Sequence, residues 1–580
     1  MLDQASSHTI RDRVTIPNMV QLRTTNIDKL ESDVFDVLVV GGGINGSVAA
    51  AALSGRGAQV ALIDRGDFAG FTSQNSSNLA WGGIKYMESG ELGLVSKLCK
   101  SRNHLMSAFP STVQEIRFLT TVEKGFRWPV FMLYLGTLFY WLLGRFFTQK
   151  PRIVTRRKLA KMEPLIDTSK ARGGFEYSDA ILYDNDARFV FGFVRRAMTS
   201  GCIAANYVES HGGKRGEGGL WHFDCQDTIT GKRFTVRTRT LVNTCGPYVD
   251  LHNNLTGVSS NHRHLYSKGI HLIVDRLSRE NKVLTFFADD GRPFFAIPMG
   301  PRTVIGTTDT RVPTPDAEVT DEDREFVLSN INKRLNLPSP LTLDDVIAER
   351  CGVRPLVLDN EEKVTEGDWT KLSRKHVIEV DQKLSALSVY GGKLTDCVNV
   401  GNEVCEAISQ MGIQLPHETY RWYGEPPQIT YYEYIHQARL LGLDEMTAPH
   451  ASEPLSKRLW RRYGARAIGM LEDIRRDPKN ADILIETSEY IRCEIYRTAR
   501  HEMVVKLEDF LRRRSKISQV VAHKDLLDSA GLREACKILF GPEAANRWEE
   551  YFGRPWQNDN SNPAPKLSVK SSLQDKAADV

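Results

Sequence analysis

The stretch that decides the fold is Val34 to Asp64, VFDVLVVGGGINGSVAAAALSGRGAQVALID. Val37-Leu38-Val39-Val40 is an unbroken apolar run and reads as a buried strand. Gly41-Gly42-Gly43-Ile44-Asn45-Gly46 follows at once, Ser47 to Gly55 is alanine-rich and helical, and Val60-Ala61-Leu62-Ile63 is a second buried strand closed by Asp64. Gly41, Gly43 and Gly46 supply G-x-G-x-x-G in the strand–turn–helix setting that gives it meaning. The first glycine permits the tight turn, the second lets a pyrophosphate reach the backbone, and the third lets helix and strand pack closely. The helix N-terminus offers free N–H groups to phosphate oxygens. Asp64, 18 residues beyond Gly46, stands where a carboxylate binds ribose hydroxyls.

Outward from this unit, Thr240-Leu241-Val242-Asn243-Thr244-Cys245-Gly246-Pro247 is an apolar strand running into a small-residue turn, as when a chain returns to the cofactor sheet after an inserted domain. One fingerprint argues against a reductase with two nucleotide sites and for FAD held permanently, with substrates visiting in turn. The 580 residues are 41% hydrophobic, 26% charged and 9% aromatic, ordinary globular usage that excludes a disordered, collagen-like or disulfide-stapled chain. A net charge of +4 calls for no nucleic-acid partner. The nine cysteines contain no C-x-x-C and suit buried thiols; no metal is expected. The N-terminus carries no signal-peptide core, and Asp3, Asp12, Asp28 and Glu31 disfavour a mitochondrial presequence. From about 415 the glycine punctuation thins and helical stretches appear at Glu453–Arg462, Ala481–Arg500, His501–Arg514 and Leu532–Phe540. Arg512-Arg513-Arg514-Ser515-Lys516 reads as a solvated helix end. The expected architecture is an α/β FAD-binding Rossmann-like domain with an inserted α+β, mixed-sheet substrate domain and an all-α C-terminal domain. Its divisions are an N-terminal extension (1–33), the interleaved oxidoreductase domain (34–414), the helical domain (415–555) and a polar tail (556–580) expected to be disordered.

Residues 128–144, WPVFMLYLGTLFYWLLG, are uncharged and bounded by Arg127 and Arg145. A helix of that length spans roughly 25 Å, short of the ~20 residues a bilayer needs. Three readings stand: a helix lying in a membrane interface, a buried core segment, or a span. Arg152, Arg156, Arg157 and Lys158 follow, suited to anionic headgroups or to a solvated face.

Four further segments combine glycine with polar groups: Lys268-Gly269-Ile270-His271, Ile305-Gly306-Thr307-Thr308-Asp309-Thr310, Gly352-Val353-Arg354-Pro355-Leu356, and Tyr390-Gly391-Gly392-Lys393-Leu394-Thr395-Asp396. Together with GGGINGSVAAAALSGRG (41–57), TSQNSSNLAWGGIKYME (72–88), RGGFEYSDA (172–180), LVNTCGPYVD (241–250) and EMVVKLEDFLRRRSKI (502–517), they resemble the FAD-dependent, aerobic, membrane-associated glycerol-3-phosphate dehydrogenase family from about Asp33 to Pro555. The resemblance implies oxidation of sn-glycerol 3-phosphate to dihydroxyacetone phosphate, with electrons passed through FAD to a membrane quinone. It implies Gly41, Gly43 and Gly46 at the pyrophosphate, Asp64 at the ribose, Ser73, Ser76 and Ser77 along the FAD, and Gly246 and Gly392 near it. Arg354, Arg374 and Lys393 would form the anion pocket, bordered by Lys85 and Tyr86, and His271 would be the general base. Peripheral contact with the cytoplasmic face of a bacterial inner membrane is implied, and a homodimer is compatible with it. Asn78, Trp81, Lys85 and Asp396 depart from the family's usual Lys, His, Arg and Thr. Those departures keep open a paralogous flavin dehydrogenase or oxidase acting on another small anionic alcohol or amine, with oxygen as an alternative acceptor. A flavin-binding interaction protein without turnover is the non-enzymatic alternative.

Overall fold

The computed structural model describes residues 19–361, 375–449 and 451–556; Arg374 and the tail from 557 onward lie outside these described residues. Two sheets organise the chain. In the first, five strands run parallel in the order Ile203–Asn206, Val60–Asp64, Val34–Val40, Arg233–Asn243 and Ala386–Tyr390, and Val377–Asp381 closes one edge antiparallel. The strand, helix and strand expected from the opening motif occur at Val34–Val40, Ile44–Gly55 and Val60–Asp64. The returning strand starts earlier than its apolar half, at Arg233, and lies beside the first with Val37 opposite Thr240. Helices Asp186–Thr199 and Cys397–Gln410 both pack on helix Ile44–Gly55. Fully buried Ala49 to Ala52 leave room for that three-helix contact.

The second sheet has ten strands and mixed direction, the inserted domain expected from sequence. Its spine is His262–Asp275, a 14-residue strand. Ala348–Asp359 pairs with one side of it; Arg302–Gly306 and Thr310–Val312 pair with the other. Only Leu272 to Val274 of this spine is apolar enough to be read as strand from sequence.

The C-terminal region is helical, with Gln428–Leu440, Leu455–Tyr463, Ala467–Arg476, Arg492–His501, Ala530–Phe540 and Ala544–Phe552. The helix expected over Ala481–Arg500 is confined to its second half. The boundary drawn at 415 falls inside one core, because Ile413, Leu415 and Trp422 pack with the alanine-rich helix. Residues of 484–552 bury apolar side chains against the second sheet, and those of 434–493 form a core of their own. The N-terminal segment is likewise docked: Ile27 and Leu30 of helix Met19–Ser32 join the first sheet's core, and buried Arg23 donates to Asp227 at 2.6 Å.

One expectation about charge is corrected, and the readings of residues 128–144 are narrowed. Arg512, Arg513 and Arg514 are buried rather than solvated. Arg513 and Arg514 both donate to Asp67, at 2.6 and 2.8 Å, and Arg512 donates to Gln74 O. Residues 128–144 form the 14-residue helix Val130–Leu143, and among the described residues no helix is long and apolar enough to cross a membrane. The helix is not core either: Thr137 and Tyr140 are buried, while Phe131, Met132, Leu135, Phe139 and Leu142 face outward.

Candidate active site

The glycine turn shows why its residues are glycines. Gly41 has φ +100, and a Cβ there would stand 2.6 Å from Thr244 O; one on Gly46 would stand 1.8 Å from Gly41 O. Thr244 holds the turn from the neighbouring strand, its hydroxyl donating to Val40 O at 2.9 Å. Gly43 is different: a Cβ there would meet only Ser73 Oγ, at 3.2 Å, so its missing side chain leaves space in the cleft rather than relieving a backbone clash. The N-cap residue of helix Ile44–Gly55 is Gly43, which has no side chain to cap it; Ile44 N–H donates instead to Ser73 Oγ at 3.0 Å.

A single cleft runs along this end of the sheet, lined by Gly41, Gly43, Asp64, Ser73, Gly246 and Gly392. It therefore collects six of the residues expected at the cofactor. Gly46, Ser76 and Ser77 do not line it. The Ser76 amide is drawn aside to Asp186 at 2.8 Å, at the start of helix Asp186–Thr199. Asp64 accepts backbone N–H groups from Gly42 at 2.6 Å and Gly66 at 2.8 Å. Burial outweighs these bonds and pushes its carboxyl up to about 6. Asn45, an unremarked position inside the motif, also lines the cleft. Its Nδ2 donates to Gly391 O at 2.9 Å, tying the helix start to the Gly391-Gly392 turn, while its buried Oδ1 has no hydrogen-bond partner among the described residues. A helix N-terminus with a glycine N-cap, a positive-φ glycine turn and a buried amide oxygen in one cleft fit the phosphates and polar edge of a dinucleotide.

The remaining candidates fall into two groups, one on the second sheet and one around Lys393. In the antiparallel register Ser267 faces Arg354, Gly269 faces Gly352 and His271 faces Arg350, so these six share one face of the sheet. The glycines leave room for neighbouring side chains, Arg354 over Gly269 and Asn75 over Gly352. A Cβ on Gly269 would stand 2.1 Å from Arg354 Nη2, so the guanidinium lies flat over bare backbone. Arg354 donates to Thr307 Oγ1 at 3.1 Å and meets Asp309 at 3.3 Å. Lys393, just past the glycine pair, holds Nζ 3.9 Å from the ring centre of Tyr86. Lys85 precedes it in the same short turn, Ile84–Met87, and is half-buried. Lys393 and Tyr86 are thus brought together; Arg354 stands on the sheet beside His271.

His271 is 3% exposed and neither ring nitrogen has a hydrogen-bond partner among the described residues. Burial, with the charges of Arg350 and Arg354, pushes its pKa down to about 3, so the ring is neutral at physiological pH. Arg350 is the second residue that sequence reasoning missed. It is 1% exposed and donates to Ser76 O at 2.7 Å, Asn78 Oδ1 at 2.9 Å and Gln519 Oε1 at 2.7 Å. The unusual Asn78 therefore has a partner built for it. Trp81 packs edge-on to Phe295, and Asp396 accepts from Ser101 and binds His376, away from the cleft.

Residues 36–376 match the family described as FAD dependent oxidoreductase, and residues 430–529 match the C-terminal domain of alpha-glycerophosphate oxidase. The chain is 27% identical over 534 residues to the aerobic glycerol-3-phosphate dehydrogenase of Staphylococcus haemolyticus, covering 88% of this chain and 92% of that one. It is 27% identical over 509 residues to a probable glycerol-3-phosphate dehydrogenase of Encephalitozoon cuniculi, covering 84% and 79%. In fold it is similar to the glycerol-3-phosphate dehydrogenase from Bacillus halodurans complexed with FAD, with a TM-score of 0.65 and 23% identity over 92% of this chain and 93% of that one.

Proposed function

This chain belongs to the FAD dependent oxidoreductase family, and we propose that it oxidises sn-glycerol 3-phosphate to dihydroxyacetone phosphate and delivers the electrons to a membrane quinone. The observation that carries the substrate is the cation-lined face beside the cofactor cleft, where Arg354 lies over Gly269 with His271 further along the same strand. The relatives named for glycerol 3-phosphate support the same reading.

Bound FAD supplies the two-electron acceptor; the protein supplies position, charge and a proton acceptor. Gly41, Gly43 and Gly46, with the helix start, would hold the pyrophosphate, Asp64 the ribose, and Ser73, Asn45, Gly246 and Gly392 the rest of the cleft. Ser76 stands outside the cleft lining, its amide bonded to Asp186. Arg354 would grip the substrate phosphate with its planar fork, and Lys393 would add a second charge from the other side. Arg374 is a third candidate cation on the strength of the resemblance alone.

His271 would accept the hydroxyl proton. Its depressed pKa is partly the work of Arg354. A phosphate on Arg354 offsets that charge, so binding of the substrate itself raises the basicity of the imidazole. An unphosphorylated alcohol would not.

The outward face of helix Val130–Leu143 supports lipid contact. Phe131, Leu135, Phe139 and Leu142 recur at helical spacing, joined by exposed Trp128, Phe146 and Phe147, and Arg127, Arg145 and Lys150 stand around them. Exposed apolar rings rimmed by basic residues suit a helix lying in an anionic interface, where a quinone is reached. A position on the cytoplasmic face of the inner membrane is part of the same proposal and rests on the family resemblance. The experiment is anaerobic addition of sn-glycerol 3-phosphate to the yellow holoprotein. Bleaching by this compound and not by amino acids or amines supports the assignment; bleaching only by an amine refutes it.

A further inference from the structure

A second cavity, of about 370 Å³, opens between helix Asp186–Thr199 and the C-terminal helix Leu455–Tyr463. That volume lies in the range of small-molecule sites. Helix Asp186–Thr199 lines it with Arg188, Gly192, Arg195 and Thr199, positions i, i+4, i+7 and i+11 of one face. A glycine inside a helix is unfavourable relative to alanine. Here nothing in the protein requires it, since a Cβ at Gly192 would meet no heavy atom within 4 Å. The missing side chain widens the cavity.

Six arginines line the walls: Arg188, Arg195 and Arg196 on one side, Arg461, Arg462 and Arg466 on the other. Their compensation is uneven. Arg461 and Arg462 share Asp184 and have Glu453 and Glu494 behind them. Arg188 takes Glu502, which reaches Arg195 only at 3.4 Å. Arg196 and Arg466 have no carboxylate within ion-pair distance among the described residues; they donate to Gly424 O and Thr199 Oγ1. Glu425, the other acid on the wall, is occupied by Ser111 and Trp460. Burial and Arg188, with Arg466 and Arg497, push Arg195 down to about 9 against the pull of Glu502. A guanidinium keeps its proton at neutral pH. Such crowding is relieved by an anion.

We propose that this cavity binds an organic phosphate, a small molecule with at least two negative charges and an apolar or aromatic part, at a site separate from the cofactor cleft and the substrate pocket. Arginine forks match phosphate oxygens in pairs. Phe193, Trp460 and Tyr463 on the same walls suit the organic part. Such a ligand joins the helix that packs on the phosphate-turn helix to the C-terminal helices, so its occupancy ties the two regions together.

The test uses FAD-loaded protein, so that the dinucleotide cleft is filled, titrated calorimetrically with inorganic phosphate and with adenosine 5′-monophosphate. The expected result is saturable binding of the monophosphate, tighter than that of inorganic phosphate. Arg466→Gln should weaken it roughly 10- to 150-fold, the loss of one charged hydrogen bond. Gly192→Leu adds bulk without changing charge and improves helix propensity; it should abolish binding while leaving flavin content intact. Absence of saturable binding overturns the proposal. So does binding that both variants leave unchanged, which would locate the probe at the substrate pocket. Equal affinity for the two probes overturns the organic part of the assignment.

Discussion

Replacing Asp67 by Asn keeps the shape of the side chain and removes its charge. Asp67 is buried and accepts four hydrogen bonds, from Asn206, Arg513 Nε and both Arg514 terminal nitrogens, at 2.6 to 2.8 Å. Removing the anion leaves buried Arg514 without a carboxylate partner among the described residues, while Arg513 keeps Asp509 and Glu508. Breaking one side of a buried ion pair costs about 3–5 kcal/mol. Unfolding entropy of about 2.1 cal/mol/K per residue gives roughly 1.2 kcal/mol/K for this chain, so the melting temperature should fall by about 3–4 °C. Burial alone would raise the Asp67 carboxyl, but Arg514 and Arg513 outweigh it and hold it below its ordinary value. A carboxyl whose folded pKa is depressed contributes fully above the unfolded value of about 3.9, and the contribution is lost as pH falls through the folded value. Scanning calorimetry of wild type and Asp67→Asn should show a constant gap from neutral pH down to about pH 5 that narrows in acid. Asp67 lies three residues past Asp64, so flavin release should begin at the lower temperature too. An unchanged melting temperature at neutral pH refutes the docking argument, and a gap that widens in acid refutes its electrostatic cause.

Gly43→Val should fold, because its Cβ meets only Ser73 Oγ, yet purify colourless; full flavin content would remove Gly43 from the phosphate turn. His271→Ala should slow flavin reduction in stopped flow while sparing FAD content. With its pKa pushed down to about 3 in the substrate-free protein, the wild-type second-order rate at low substrate should show no acid limb near the ordinary histidine value of about 6.5, and a limb there that disappears in the variant would contradict the buried, neutral imidazole. Phe131→Ser with Leu135→Ser should abolish sedimentation with anionic vesicles without altering reduction by substrate; unchanged sedimentation would show that helix Val130–Leu143 is not the lipid-facing element.

What could be read from sequence was what is local. The strand, glycine turn, helix and second strand of 34–64 declare themselves because each is specified by neighbours in the chain, and Gly41 and Gly46 are glycines for reasons confined to that unit and Thr244. The pairing of His271 with Arg350 was not legible, because it depends on the register of two strands about 80 residues apart, one of them largely polar. Asn45 occupies a position the motif leaves free, so nothing marked it until Gly391 was seen against it. The run Arg512 to Arg514 looked solvated because charge runs ordinarily are. Its burial rests on Asp67, 446 residues from Arg513, a partner that no local pattern announces.

The central claim is that Arg354 reads the phosphate of the substrate. The measurement is kcat/KM for sn-glycerol 3-phosphate and for glycerol, in wild type and in Arg354→Ala. Loss of a charged hydrogen bond of roughly 1.5–3 kcal/mol predicts a drop of about 10- to 150-fold for the phosphorylated substrate, carried mostly by KM. Glycerol, which never engages the guanidinium, should be nearly unaffected, so the preference between the two should collapse by the same factor. Arg354→Lys should recover only part of it, since an ammonium lacks the fork. If Arg354→Ala weakens both compounds equally, Arg354 does not bind phosphate and the glycerol 3-phosphate assignment fails at its main physical support.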